Sequence, residues 1–283
     1  MNYLMVVVLG VVQGVAEFLP ISSSGHLTLF QHFFGMPEPD DLFNILLHFA
    51  TLIAVFVYYR RDIWEMILEF FRFFGDLFSR RTGQGEPPAA RRQILLLIVA
   101  TLPLFLVLPI KKYVEAVGNY PEAVSCILIL TGVILFLSDR MAKGRKTARN
   151  TTLKDAVLIG VAQGFATLPG LSRSGSTIAA GMALGLDRKF AVRFSFLMSL
   201  PAVLGATILE VVDVVSEGTF DSAMLPKYLL GMVIAGVVGY FSIGLVNLLA
   251  SKGKFGAFAY YCWIAGGVFL VLSILDFTLA PAV

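Results

Sequence analysis

Charged side chains are scarce in this sequence: only 14% of its 283 residues are Asp, Glu, Lys or Arg, against 57% hydrophobic. A soluble domain of that length needs more charge than this on its surface, so a water-exposed globule is excluded and the solvent is lipid. Cysteine is almost absent. Cys126 and Cys262 both lie in apolar runs expected towards opposite membrane faces, which excludes a disulfide between them and leaves them a packing role. Also missing are a nucleotide-binding Gly-rich loop, a Cys/His zinc spacing and any nucleic-acid motif, so no nucleic-acid partner is expected. The N-terminal MNYLMVVVLG lacks a basic n-region and a cleavage-type end, and reads as retained.

What is present is long apolar runs. Six can span about 30 Å of hydrocarbon: 43–59, 93–110, 122–138, 190–209, 228–249 and 257–276. Two further segments, 3–34 and 154–186, are apolar at both ends but interrupted by PISSSG and PGLSRSG. Each reads as two half-length helices around a break. Such backbone is tolerated at membrane depth only inside protein or a hydrated cavity, so both are expected to be re-entrant helical hairpins. Placing 60–92, 139–154, 187–193 and 251–256 on one side gathers 18 of the 22 Lys and Arg there and leaves three opposite. The positive-inside rule then puts both termini outside and makes the hairpins enter from opposite faces. Residues 62–78, aromatic but charged, read as an interfacial cytoplasmic helix, followed by a GQGEPPAARR loop.

The two interrupted segments resemble each other. Residues 10–28 align without gaps on 160–178 and share Gly10/Gly160, Val11/Val161, Gln13/Gln163, Gly14/Gly164, Ala16/Ala166, Ser22/Ser172, Ser24/Ser174 and Gly25/Gly175. With opposite entry this is an inverted-topology repeat whose broken helices meet near the midplane. The expected fold is an all-α integral membrane protein of six transmembrane helices plus two re-entrant hairpins. It forms a single domain, 1–283, of two repeats at about 1–138 and 154–283.

The differences between the copies carry the chemistry. Glu17, Ser23 and His26 of the first stand where the second has Thr167, Arg173 and Ser176. Each break re-enters a helix from a Ser/Gly cluster, which presents unpaired N–H groups and the positive dipole end to an anion. Ser22, Ser24 and Gly25 with Ser172, Ser174 and Gly175 are therefore candidate phosphate ligands, although small-residue helix packing alone also uses such clusters. Arg173 can grip phosphate bidentately. Glu17 within an apolar hairpin marks a site unless it only pairs with Arg173. Gln13, four residues earlier on the same face, can share a water or a divalent cation with it. His26 is a candidate acid, base or nucleophile, and Ser23 a candidate nucleophile or phosphate ligand. His48 is a candidate to reach the pocket, and His32 reads as interfacial. Thr28 and Thr177, following the breaks, cap or pack.

Through EFLPISSSGH and PGLSRSG, and further through LHFATLIAV and FSFLMSLPAVLGA (194–206), the sequence resembles the BacA/UppP family of undecaprenyl-diphosphate phosphatases over most of its length. The resemblance implies hydrolysis of undecaprenyl diphosphate to the monophosphate, recycling of the cell-wall lipid carrier and bacitracin resistance. It also implies divalent-metal dependence (Mg²⁺ or Ca²⁺), a prokaryotic plasma membrane and a site open to the extracytoplasmic side. The family's functional positions fall on Glu17, Ser23, His26 and Arg173, with support from Ser22, Ser24, Ser172 and Ser174. Gln13 takes the glutamine option where other members carry glutamate, and a neutral amide binds Mg²⁺ more weakly than a carboxylate. The expected partners are the polyprenyl diphosphate and membrane lipid; a homo-oligomer is compatible with the fold. A flippase or transporter is the alternative, since inverted repeats serve it equally well.

Overall fold

The computed structural model describes residues 2–33, 41–78, 88–141, 143–217 and 222–275. The expected GQGEPPAARR loop at 83–92 falls partly outside these residues. Twelve α-helices are present among the described residues: α1 Tyr3–Ala16, α2 Ser23–Phe33, α3 Asp41–Tyr58, α4 Arg60–Phe78, α5 Ala89–Thr101, α6 Lys111–Glu115, α7 Pro121–Asp139, α8 Leu153–Phe165, α9 Arg173–Ala183, α10 Arg188–Glu217, α11 Leu225–Ser251 and α12 Ala257–Ile274. No strand occurs among them; one isolated bridge joins Lys146 to Leu186. By length and apolarity five helical stretches can cross a membrane, and a sixth exists if α3 and α4 count as one broken span.

That pair is bent by 82°, so α4 turns away from the line of α3, as an interfacial helix requires. Trp64, Phe70, Phe71, Phe73 and Phe74 are exposed on it. Its buried Glu69 accepts from Arg91 Nε at 2.8 Å, and Asp76 from the same guanidinium at 2.9 Å. The charged face of α4 is thereby tied to α5 and the aromatic face left to lipid.

The run expected to span at 93–110 is only partly α-helical. It is α-helix to Thr101 and then 3₁₀ over Leu102–Leu106 and Leu108–Ile110. Pro103 and Pro109 explain the change, because each removes a backbone donor and crowds the preceding turn. The 30-residue α10 instead continues through Pro201.

Close packing pairs α1 with α11, α8 with α5, α3 with α10 and α7 with α12. Exchanging α1, α3, α5 and α7 for α8, α10, α11 and α12 maps these pairings onto one another. Both cysteines are free, Cys126 exposed and Cys262 buried.

Candidate active site

The two breaks are built alike from their serines. After α1 the chain leaves helical geometry over 17–22 and restarts at α2, where Ser22 Oγ accepts from Gly25 N at 3.2 Å and Ser22 O from His26 N at 3.2 Å. After α8 it restarts at α9, where Ser172 Oγ accepts from Gly175 N at 3.1 Å and Ser172 O from Ser176 N at 2.9 Å. These are serine N-caps, in which the hydroxyl satisfies one of the four orphan donors of each helix and the carbonyl accepts the first intrahelical bond. The N–H groups of Ser23, Ser24, Arg173 and Ser174 find no acceptor among the described residues.

Backbone strain separates the two. Ser22 has φ +70°, the left-handed region, and is alone in this among described non-glycine residues. In the second break Gly170 takes the positive φ, at +93°. Thr131 of α7 clamps that turn, donating to Gly170 O at 2.9 Å and accepting from Ser172 N at 3.2 Å.

The breaks touch. A Cβ on Gly25 would stand 2.8 Å from Gly170 Cα, and one on Gly175 3.2 Å from Pro20 Cβ. Ser174 Oγ donates to Phe18 O across the junction at 3.3 Å. Glycine at 25 is a condition of this approach, since any side chain would wedge the halves apart.

Glu17 lies at the seam and is only 8% exposed. Its Oε1 pairs with Arg173 Nη2 of the other break. Its Oε2 accepts from Ser23 Oγ at 2.8 Å and from Gln13 Nε2 at 3.1 Å. His48 Nε2 is 3.6 Å from the same oxygen, while its Nδ1 donates to Asn44 O at 2.9 Å. With Nδ1 carrying the proton, His48 is a cationic partner only when doubly protonated. Two buried atoms remain unpartnered here, Gln13 Oε1 and Arg173 Nη1. Ser24 is exposed and Ser23 half-buried, whereas Ser22, Ser172 and Ser174 are buried. The accessible face of the junction is therefore Ser23 and Ser24, beside a half-buried guanidinium whose Nη1 is buried without a partner among the described residues.

Comparison over the full length decides the family. The model for "Bacitracin resistance protein BacA" matches residues 6–268. This chain belongs to the BacA family. It is 41% identical to an undecaprenyl-diphosphatase of Syntrophotalea carbinolica, covering 96% of this chain and all of that one. It is 39% identical to one of Methanobrevibacter smithii, covering 97% and 99%, and 38% identical to one of Carboxydothermus hydrogenoformans, covering 96% and 98%. Family membership and the apolar helices together make it a multi-pass, all-α membrane protein.

Of the residues singled out in the sequence, Glu17, Ser23, Gln13 and Arg173 are in mutual contact, and His48 joins them. His26 does not. It is 2% exposed, its Nδ1 donates to Ser22 O at 2.8 Å, and its Nε2 accepts from Tyr261 Oη at 2.8 Å beneath a stacked Tyr261 ring. Both nitrogens are engaged, and neither contacts Glu17, Ser23 or Arg173. In this arrangement it fastens the strained Ser22 turn to α12. Thr177 likewise faces away, sharing a 2.6 Å hydrogen bond with Ser195. Sequence reasoning missed Tyr261 and Thr131, which lie within uniform apolar runs where no spacing marks them.

The donor set for a metal is thin. Among the described residues no three His, Cys, Asp or Glu converge on one point. Glu17 and the unpartnered Gln13 Oε1 give one carboxylate and one amide oxygen, which fits a hard cation that completes its shell with substrate phosphate oxygens rather than an all-protein cage.

Proposed function

We propose that this chain hydrolyses undecaprenyl diphosphate to undecaprenyl monophosphate and inorganic phosphate. The observation that carries the reading is one carboxylate, Glu17, holding a serine hydroxyl with one oxygen and a guanidinium with the other where two helix N-termini meet. The names of the relatives support it.

The distal phosphate lies against the free N–H groups of both helix starts and against Arg173 Nη1, which has no partner among the described residues. Ser23 Oγ gives its proton to Glu17 Oε2 and attacks the distal phosphorus; the phosphoanhydride bond breaks and the lipid monophosphate leaves with that proton, which restores the carboxylate. Water then attacks the phosphoserine, assisted by the same carboxylate, and regenerates Ser23. A divalent cation held by Glu17 and Gln13 with the diphosphate would neutralise charge that builds on the departing phosphate. His26 serves by holding the turn that carries Ser23.

Detergent-solubilised protein given a polyprenyl diphosphate and Mg²⁺ or Ca²⁺ releases inorganic phosphate without ATP or an ion gradient. A phosphate assay reads this directly. Lipid binding with no release across several prenyl lengths and both metals would falsify the reading and leave a transporter.

The charge bias of the loops supports a prokaryotic plasma-membrane location, with both termini and the site on the extracytoplasmic side. With Cys126→Ser and Cys262→Ser in the background, Glu115→Cys reacts with an impermeant thiol reagent in intact cells and Arg145→Cys does not. The reverse pattern inverts the orientation.

A further inference from the structure

Away from the junction, α4, α5 and α10 enclose a groove of about 620 Å³ lined only by apolar groups and Thr101, among them Met66, Phe70, Ile98 and Leu200. It is within the range of roughly 300–1,000 Å³ typical of a single-ligand site. Met66 is shared with a second cavity of about 210 Å³ between α4, the start of α5 and the turn at 147–149. Asp62, Glu65, Gln93, Arg149 and Arg193 line it. A polar basin thus adjoins an apolar trough across Met66, and the basin belongs to the Lys/Arg-rich side of the protein. Its wall is built: Arg92 Nη2 donates to Thr151 O at 2.9 Å, tying the turn to α5.

The charges of the basin are only half satisfied. Arg193 pairs with Asp62 at 2.8 Å. Among the described residues Glu65 and Arg149 belong to no ion pair, so one anion and one cation stand open. Gln93 is 6% exposed and its Nε2 has no acceptor; Arg193 Nε also has none. A buried amide donor without a partner is destabilising, and a ligand oxygen would satisfy it.

We propose that this composite cavity binds a phospholipid with a zwitterionic amine head group. The phosphate meets Arg149, Arg193 Nε and the Gln93 amide, the ammonium meets Glu65, and one acyl chain fills the groove. Charge complementarity selects this occupant. A polyprenyl monophosphate or an acidic phospholipid offers the arginines an equal partner but brings no cation to Glu65, and so sets a second negative charge beside it. None of these residues touches Glu17, Ser23 or Arg173, so the inference stands apart from the hydrolytic reading.

Native mass spectrometry of delipidated protein, titrated with phosphatidylethanolamine, phosphatidylglycerol or polyprenyl monophosphate, tests it. Phosphatidylethanolamine is expected to bind at least about fivefold more tightly than the other two. Arg149→Glu and Ile98→Trp should each lose most of that binding while phosphate release continues. Glu65→Gln, at an exposed position without a partner and so harmless to the fold, should erase the preference between the two phospholipids. Equal binding of the two phospholipids by the wild-type protein, tighter polyprenyl monophosphate, or phosphatidylethanolamine adducts unaffected by all three changes overturns the proposal.

Discussion

Glu17→Gln lowers phosphate release by on the order of a thousandfold. The substitution keeps the shape but removes the base that accepts the Ser23 proton, and general-base assistance is worth about 10²–10⁴-fold. It also strands Arg173. A fully buried cation left without its partner costs about 3–5 kcal/mol, but the Arg173 side chain is 24% exposed, so water takes up part of that penalty and the variant folds. Gel filtration and thermal unfolding check the fold, and single-turnover phosphate release checks the chemistry. Near-normal turnover in a folded Glu17→Gln protein would remove the carboxylate from the mechanism and with it the Ser23 assignment.

Arg173→Lys costs about a hundredfold, although the charge is kept. One guanidinium nitrogen holds Glu17 and another is buried without a partner among the described residues. An ammonium is a single point and cannot serve both. The loss of one such contact in the transition state is worth about 3 kcal/mol, which is that hundredfold in rate. The effect should fall on kcat more than on KM, because the helix N-termini still bind the ground-state phosphate. A drop in binding alone, with kcat unchanged, would reduce Arg173 to a substrate anchor.

The breaks were legible because a Pro/Gly/Ser cluster inside an apolar run has few structural meanings, and their facing charges because Glu17 and Arg173 stand in different copies of one repeat. Five of the six expected spans followed from run length, the sixth at 43–59 being half of a bent helix pair, and Pro103 and Pro109 turn the end of the 93–110 run into 3₁₀-helix. Other features were hidden for identifiable reasons. Tyr261 meets His26 across 235 positions of sequence, and a tyrosine in a membrane helix is unremarkable until that partner is known. Thr131 is equally anonymous in its run. Three consecutive serines do not disclose which one bears the left-handed turn, nor that the middle hydroxyl turns towards Glu17. The histidine beside them drew attention for its chemistry, while its hydrogen bond to Tyr261 depends on tertiary placement.

The contact between Gly25 and Gly170 bears on the energetics of the cell as well as on the reaction. Two half-length helices lined with a carboxylate, hydroxyls and a guanidinium would, if they stood apart, thin the insulator that holds the transmembrane voltage. Each elementary charge leaking through it would dissipate about 2.3 kcal/mol per 100 mV. Backbone seated on backbone, with Phe18 packed edge-on against Phe196 beside it, closes that short circuit while leaving Ser23 and Ser24 open on one side. The enzyme therefore keeps a charged junction with two accessible hydroxyls without leaving a gap between its halves.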